Sequence, residues 1–231
     1  MKKAIPALLF SLALIAPTTA FAAGKLSYTE TFFVDSRSDA NVYAKVENIG
    51  DKPIAVNAGL FEIFDSEGDA VTSTDWINIY AKYLQPGEYT YVRASTDING
   101  LQAADVDDYL FTLSGKSGSD MVSKRFPCVA EYRIDDTGYR TYHYAYITTT
   151  NDTEDPVYGL DVVAAFYDSN DELIFVCPSG LGSDTALEPG SSLTFKLSIS
   201  SAVVDYLAEN NITPKYVDAI VYVNRENDLA D

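Results

Sequence analysis

Apolar and polar residues alternate with a period of two along much of the chain, which marks strands rather than helices. Val42, Ala44 and Val46 alternate with Tyr43, Lys45 and Glu47, and Ala145 and Ile147 alternate with Tyr142, Tyr144 and Tyr146. A polar turn follows each run, over 48–53 and 151–156, and then a more apolar strand ends in Asp65 or Asp168. Ser66-Glu67-Gly68-Asp69 and Ser169-Asn170-Asp171-Glu172 have hairpin-turn composition. Pro86-Gly87 and Pro189-Gly190 predict turns into strands over 89–94 and 193–199. Last strands are expected over 106–113 and 217–223. Many short strands punctuated at this spacing predict an all-β protein made of sandwiches.

The two series are offset by a constant 103 residues. Asn48 falls on Asn151, Pro53 on Pro156, Asp65-Ser66 on Asp168-Ser169, and Leu84, Pro86 and Gly87 on Leu187, Pro189 and Gly190. Eight of 48 positions are identical between 48–95 and 151–198 without a gap, mostly at turns and strand ends. We read this as an internal duplication: two tandem β-sandwich domains, residues 23–114 and 121–231, joined by a linker at 115–120 of flexible composition. The second copy carries an insertion at 201–214, in which 202–209 is expected to form a short helix.

Phe61-Glu62-Ile63-Phe64-Asp65, then Gly68 and Leu84-Gln85-Pro86-Gly87-Glu88, resemble the FxLYD-type domains of bacterial exported proteins. The second copy keeps Phe166-Tyr167-Asp168 and Leu187-Glu188-Pro189-Gly190 but has Ala164 and Asp171 at the leading Phe and the Gly positions. The resemblance implies an immunoglobulin-like sandwich and export. It transfers no catalytic residue.

The amino terminus agrees with export. Lys2-Lys3, an apolar run over 4–16 and the small-x-small triplet Ala20-Phe21-Ala22 have the three parts of a secretory signal peptide, residues 1–22. The run is shorter than the roughly 20 residues that span a bilayer. The mature chain is therefore expected to be secreted or periplasmic and not inserted in a membrane. The whole chain carries 16 basic and 34 acidic residues, a net charge of -18, and loss of Lys2 and Lys3 makes it -20. Such a charge disfavours nucleic acid as a partner.

Chemistry is sparse. His143 is the sole histidine, which excludes a multi-histidine metal centre and would route any Ser-His-Asp triad through one residue. Three acidic clusters, Asp105 with Asp107 and Asp108, Asp152 with Glu154 and Asp155, and Asp168 with Asp171 and Glu172, match solvated turns, with calcium as the alternative. No cofactor motif occurs. No catalytic residue and no metal ligand is assigned. Tyr142, Tyr144 and Tyr146 would form a flat amphipathic strip able to stack on a glycan or an envelope protein. Trp76, with Tyr80, Tyr83, Tyr89 and Tyr91, would do likewise in the first copy unless the other domain or the 202–209 helix covers these faces. Cys128 and Cys177 are even in number in an exported chain and are expected to form a disulfide, two buried thiols being the alternative. The function expected is a non-catalytic binding or structural module. The alternative is a carbohydrate-active enzyme using an acidic pair.

Overall fold

The alternating run at 42–47 lies in β2 (Asp39–Asn48), and the strands on either side of it define the first of two similar halves. A computed structural model describes residues 25–226 apart from 99, 118–120 and 140, so the expected signal peptide lies outside the described residues. β2 sits between β1 (Leu26–Val34) and β7 (Tyr89–Asp97), and β5 (Ile77–Ile79) continues the sheet beyond β7. We call this sheet II. Sheet I joins β4 (Ala70–Thr74), β3 (Ile54–Asp65) and β6 (Tyr83–Leu84), with β8 (Val106–Ser117) also paired to β3.

The second half is also built of two sheets. Sheet III has the order β14 (Leu173–Gly180), β13 (Asp161–Tyr167), β17 (Tyr216–Glu226) and β9 (Met121–Phe126). Sheet IV has the order β10 (Cys128–Asp136), β11 (Thr141–Thr150) and β16 (Ser192–Ser198). A small ladder joins β12 (Val157–Tyr158) to β15 (Ala186–Leu187). All of these pairings are antiparallel, and the helix α1 (Ser201–Glu209) falls where the insertion predicts it. The protein is thus all-β, with sheets packed face to face.

Alternation places the cores. Val42, Ala44, Val46 and Val92 from sheet II meet Phe61, Ile63 and Phe111 from sheet I. Ala145, Ile147, Phe195 and Leu197 from sheet IV share a second core with Phe166 and Val221 from sheet III. Several details recur 103 residues apart. Asn48 donates to the carbonyls of Lys52 (2.8 Å) and Leu84 (3.1 Å), and Asn151 to those of Asp155 and Leu187, both at 2.8 Å. The hairpin turns place Gly68 and Asp171 at φ 83° and 64°, and strand bulges fall at Ile63/Phe64 and Phe166/Tyr167.

The two halves meet over the outer face of sheet II. Five consecutive residues of β2, Ala40 to Ala44, are buried, so both of its faces are covered. The Tyr43 ring packs edge-on to Phe175 at 5.3 Å, and Phe33 stacks on Tyr206 of α1 at 4.3 Å. Tyr89 and Tyr91 donate their hydroxyl protons to Asp218 Oδ2 at 2.6 and 2.7 Å. Tyr91 has only one proton, so the 2.9 Å contact between the Tyr91 and Tyr167 hydroxyls has Tyr167 as donor. Of the two readings of the first-copy tyrosines, cover by the other domain is the one found: Tyr91 is fully buried and Tyr89 half-buried under the second half.

Two expectations are corrected. Residues 115–117 of the expected linker are strand, paired with β3 through Val56↔Gly115, Ala55↔Lys116 and Ile54↔Ser117. Gly115 is there for close packing, since a Cβ on it would lie 2.2 Å from Ile54 Cδ1. The expected Cys128–Cys177 disulfide does not form, and both cysteines are free. Cys177 sits on edge strand β14 opposite Ala164, which pairs in turn with Ala219, while the Cys128 thiol donates to the Ala219 carbonyl at 3.6 Å. Strand β13 lies between them, and two strand spacings are roughly 10 Å, beyond the reach of a disulfide.

Asn48 and Asn151 are fully buried and each satisfies two carbonyls, so Asn48→Ala or Asn151→Ala should each cost about 2–3 kcal/mol in urea unfolding. An effect under 0.5 kcal/mol would contradict their role. Burial pushes the Cys177 thiol up to about 12 and also raises Cys128. Thiol titration should find Cys177 inert in the folded protein and two thiols in denaturant, with no change of intact mass on reduction.

Candidate functional site

Strand β11 turns Ala145 and Ile147 into the core, so Tyr142, Tyr144 and Tyr146 share the opposite, outer face of sheet IV. Tyr142 is 38% exposed, and Tyr144 and Tyr146 are half-buried. The Tyr142 and Tyr144 rings stack at 6.0 Å with an interplanar angle of 12°, and Tyr146 meets Tyr144 edge-on at 6.3 Å. Antiparallel register supplies their neighbours: Asp135, Arg133 and Glu131 from β10, and Ser198 and Lys196 from β16.

Two cations lie over this strip. Lys196 Nζ is 3.9 Å from the Tyr144 ring centroid and 5.6 Å from that of Tyr146. The Arg133 guanidinium is 4.7 Å from the Tyr146 ring and pairs with Glu131 at 2.6 Å. A hydrogen bond with the Tyr146 hydroxyl, followed by the nearby tyrosines and Asp135, holds the Lys196 ammonium above its ordinary pKa. Further along, Thr148 bonds Thr194 at 2.8 Å and Thr150 bonds Ser192 at 2.7 Å, so the strip ends in a hydroxyl ladder. The arrangement offers aromatic faces, hydroxyls and an ammonium side by side. That set can stack on a sugar ring or clasp an apolar side chain while bonding an acceptor oxygen. Lys196 and Arg133 were not singled out from the sequence. The placement of Lys196 103 residues after Arg93, on the face opposite Phe195 and Leu197, is the signal that could have found the first of them.

Trp76 is not brought to this strip. It lies 78% exposed between β4 and β5 in the first half, where its backbone N–H bonds Thr74 Oγ1 at 3.0 Å. Where the halves meet there is also an open cavity of about 560 Å³, lined by Thr29, Lys45, Tyr167, Asp171, Tyr216 and Asp218 among others. Asp218 is engaged by the two tyrosine hydroxyls described above, and Asp171 by that of Tyr216.

His143 faces the interior beside the tyrosine strip. Its Nδ1 lies 2.6 Å from the Tyr132 hydroxyl, and the two rings are parallel at 6.0 Å. The turn carboxylate Asp168 accepts from the backbone N–H groups of Asn170 and Glu172, and Asp65 likewise from those of Glu67 and Asp69. These acids thus shape their own hairpins. Among the described residues no group of three or more His, Cys, Asp or Glu side chains converges as a metal ion would require.

No family model matches the chain, and no curated protein matches it. Among solved structures it is similar to red sea bream transglutaminase at 13% identity and a TM-score of 0.20. The similarity covers 79% of this chain and 27% of that one.

Burial lowers the pKa of His143 below its ordinary value of 6.5. The folded state therefore binds this proton less readily than the unfolded chain. Its neutral form leaves stability intact above pH 6.5, and stability falls as the pH drops from 6.5 through the folded pKa. Unfolding measured at pH 7.5 and 5.5 should show the native protein losing more stability than His143→Gln. Identical losses would contradict this environment for the imidazole.

Proposed function

We propose that this is an exported, non-catalytic protein of two duplicated immunoglobulin-like units that binds a glycan or an envelope protein through the tyrosine face of sheet IV. The observation carrying the reading is the contrast between two equivalent faces. Tyr43 on the outer face of sheet II is 1% exposed, whereas Tyr146, 103 residues later, lies on a face that keeps tyrosine edges and two cations at the surface. A row of aromatics left in water is costly unless something uses it. The recurring Asn48 and Asn151 hydrogen bonds, the matching turns and the matching bulges support descent of both halves from one unit. Kinship with FxLYD-type domains and removal of residues 1–22 on export belong to the same proposal. No helix among the described residues is long and apolar enough to cross a membrane.

The enzyme alternative draws on one observation, the presence of Asp171 and Asp218 in the wall of one cavity. Both accept hydrogen bonds from tyrosines of that wall, which favours an architectural role over proton transfer. It would gain ground if the protein cleaved an arrayed glycan and lost that activity in Asp171→Asn or Asp218→Asn.

Binding is tested on an array of glycans and purified envelope proteins, with and without calcium. Tyr144→Ala should weaken retention at least ~10-fold, about 1.4 kcal/mol, without altering the thermal midpoint. Retention unchanged in both Tyr144→Ala and Tyr142→Ala, or no retention of any arrayed ligand and no other partner on this face, would overturn the reading.

A further inference from the structure

The exposed tyrosine face has a covered counterpart in the same molecule. Tyr146 and Lys196 are paired across β11 and β16. At the equivalent places 103 residues earlier, Tyr43 and Arg93 are paired across β2 and β7. Strands of the following half close that earlier face, with Phe175 from β14 against Tyr43 and Asp218 from β17 beneath Tyr89 and Tyr91. Among the described residues no further strand covers the tyrosine face of the second half.

The outer face of sheet I shares with the covering surface a strand bulge and two apolar positions. The bulge at Ile63/Phe64 in β3 corresponds to the bulge at Phe166/Tyr167 in β13, which places Phe64 where β13 has Tyr167 and Leu60 where it has Val163. Phe61 and Ile63 point into the core, so Leu60, Glu62 and Phe64 point out. Across the ladder β8 sets Leu110 opposite Glu62 and Asp108 opposite Phe64, and Leu110 is 42% exposed.

We infer that the tyrosine face of one molecule docks on the β3–β8 face of a second copy, repeating between molecules the packing that joins the halves within one. The inference rests on the reading of the tyrosine strip as a binding surface and names its occupant. Leu60, Phe64 and Leu110 offer apolar surface to the tyrosine rings, while Glu62 and Asp108 face Lys196 and the Arg133–Glu131 pair, with Asp135 of the tyrosine face at its far end. The two patches differ, so the contact is head-to-tail and leaves one unused patch of each kind at the ends of any chain of copies. Repulsion between bodies of high negative charge opposes it, and at 0.15 M salt a screening length of about 8 Å confines that repulsion to the contact itself.

Sedimentation equilibrium of the processed chain at 0.15 M salt tests the inference. Weight-average mass should rise with protein concentration past that of a dimer. Lys196→Glu spoils the tyrosine face and Leu110→Glu the β3–β8 face. Both positions are exposed, so each variant should keep the native circular dichroism and be monomeric, as should Arg133→Glu. Mixed one to one, Lys196→Glu and Leu110→Glu should recover a dimer and nothing larger, because each retains the patch that the other lacks. A symmetric tyrosine-to-tyrosine dimer would instead survive in Leu110→Glu and gain nothing on mixing, and would overturn the inference. So would a wild type that stays monomeric up to about 1 mM, the concentration at which a contact of about 4 kcal/mol half-forms. If that monomer still retained an arrayed ligand through Tyr144, only the identity of the occupant would fail. If it retained none, the binding reading would fail with it.

Discussion

Sheet II has two apolar faces, and a sandwich of its own can bury only one of them. Val42, Ala44 and Val46 are satisfied by sheet I, but Tyr43, Tyr91 and Phe33 on the other side would stand in water if the chain ended at β8. Fully burying side chains of this size is worth about 2 kcal/mol each, so the second half is drawn onto this surface. The contact also encloses polar atoms, and these fix its geometry. Asp218 accepts two tyrosine hydroxyls from the first half and a backbone N–H from Ala219, which leaves little freedom to slide. Enclosing a carboxylate with too few donors is costly, and any other register between the halves would leave Asp218 with the Ala219 N–H alone. Around this centre Arg125 pairs with Glu88 at 3.4 Å and bonds the Tyr89 carbonyl, and Ser123 receives the Tyr83 N–H at 3.0 Å.

Local physics was legible in the chain because it is written in short spacings. Alternation located β2 and β11, and the Pro-Gly turns located the starts of β7 and β16. A period of two states that a strand has two different faces, but not what meets the polar-looking one. Tyr43, Lys45 and Glu47 alternate with the core residues, and Tyr43 lies fully buried in the contact between the halves. The linker was misread for a related reason. Ser114, Gly115, Lys116 and Ser117 have the composition of a flexible joint, yet they extend β8 because β3 pairs with them from Ile54 to Asn57 along the edge that β6 leaves free. The cysteines show the limit of counting. Two thiols in one half satisfy every sequence rule for a bridge, and only the strand order β14-β13-β17 sets them apart.

The candidate site was half legible in the same sense. The three tyrosines are spaced two apart on a single strand, so their common face follows from the period alone. The cations over them do not, because Arg133 and Lys196 reach the strip from strands on either side through the register Tyr144↔Arg133 and Tyr146↔Lys196. Trp76 was attractive as a lone exposed indole, but the tyrosines grouped with it by sequence serve the contact between the halves. A site made on one strand can be read from sequence. A site made across strands needs the pairing.

The difference between the covered and the open face lies in a few exchanges at matching positions. Where sheet II has Tyr91, whose hydroxyl reaches Asp218, sheet IV has Thr194, bonded to Thr148 on its own sheet. Where sheet II has the buried Asn41, sheet IV has Tyr144 beneath an ammonium. Of the first set, Tyr91 sends its hydroxyl to Asp218 of the other half and Asn41 bonds Asp35 and Asp39 of its own, and both side chains are buried. The second satisfies its hydroxyls within its own sheet and keeps its cations at the surface, so it tolerates water when empty. A face of that kind suits contacts that form and dissolve, because leaving it uncovered strands no buried polar group.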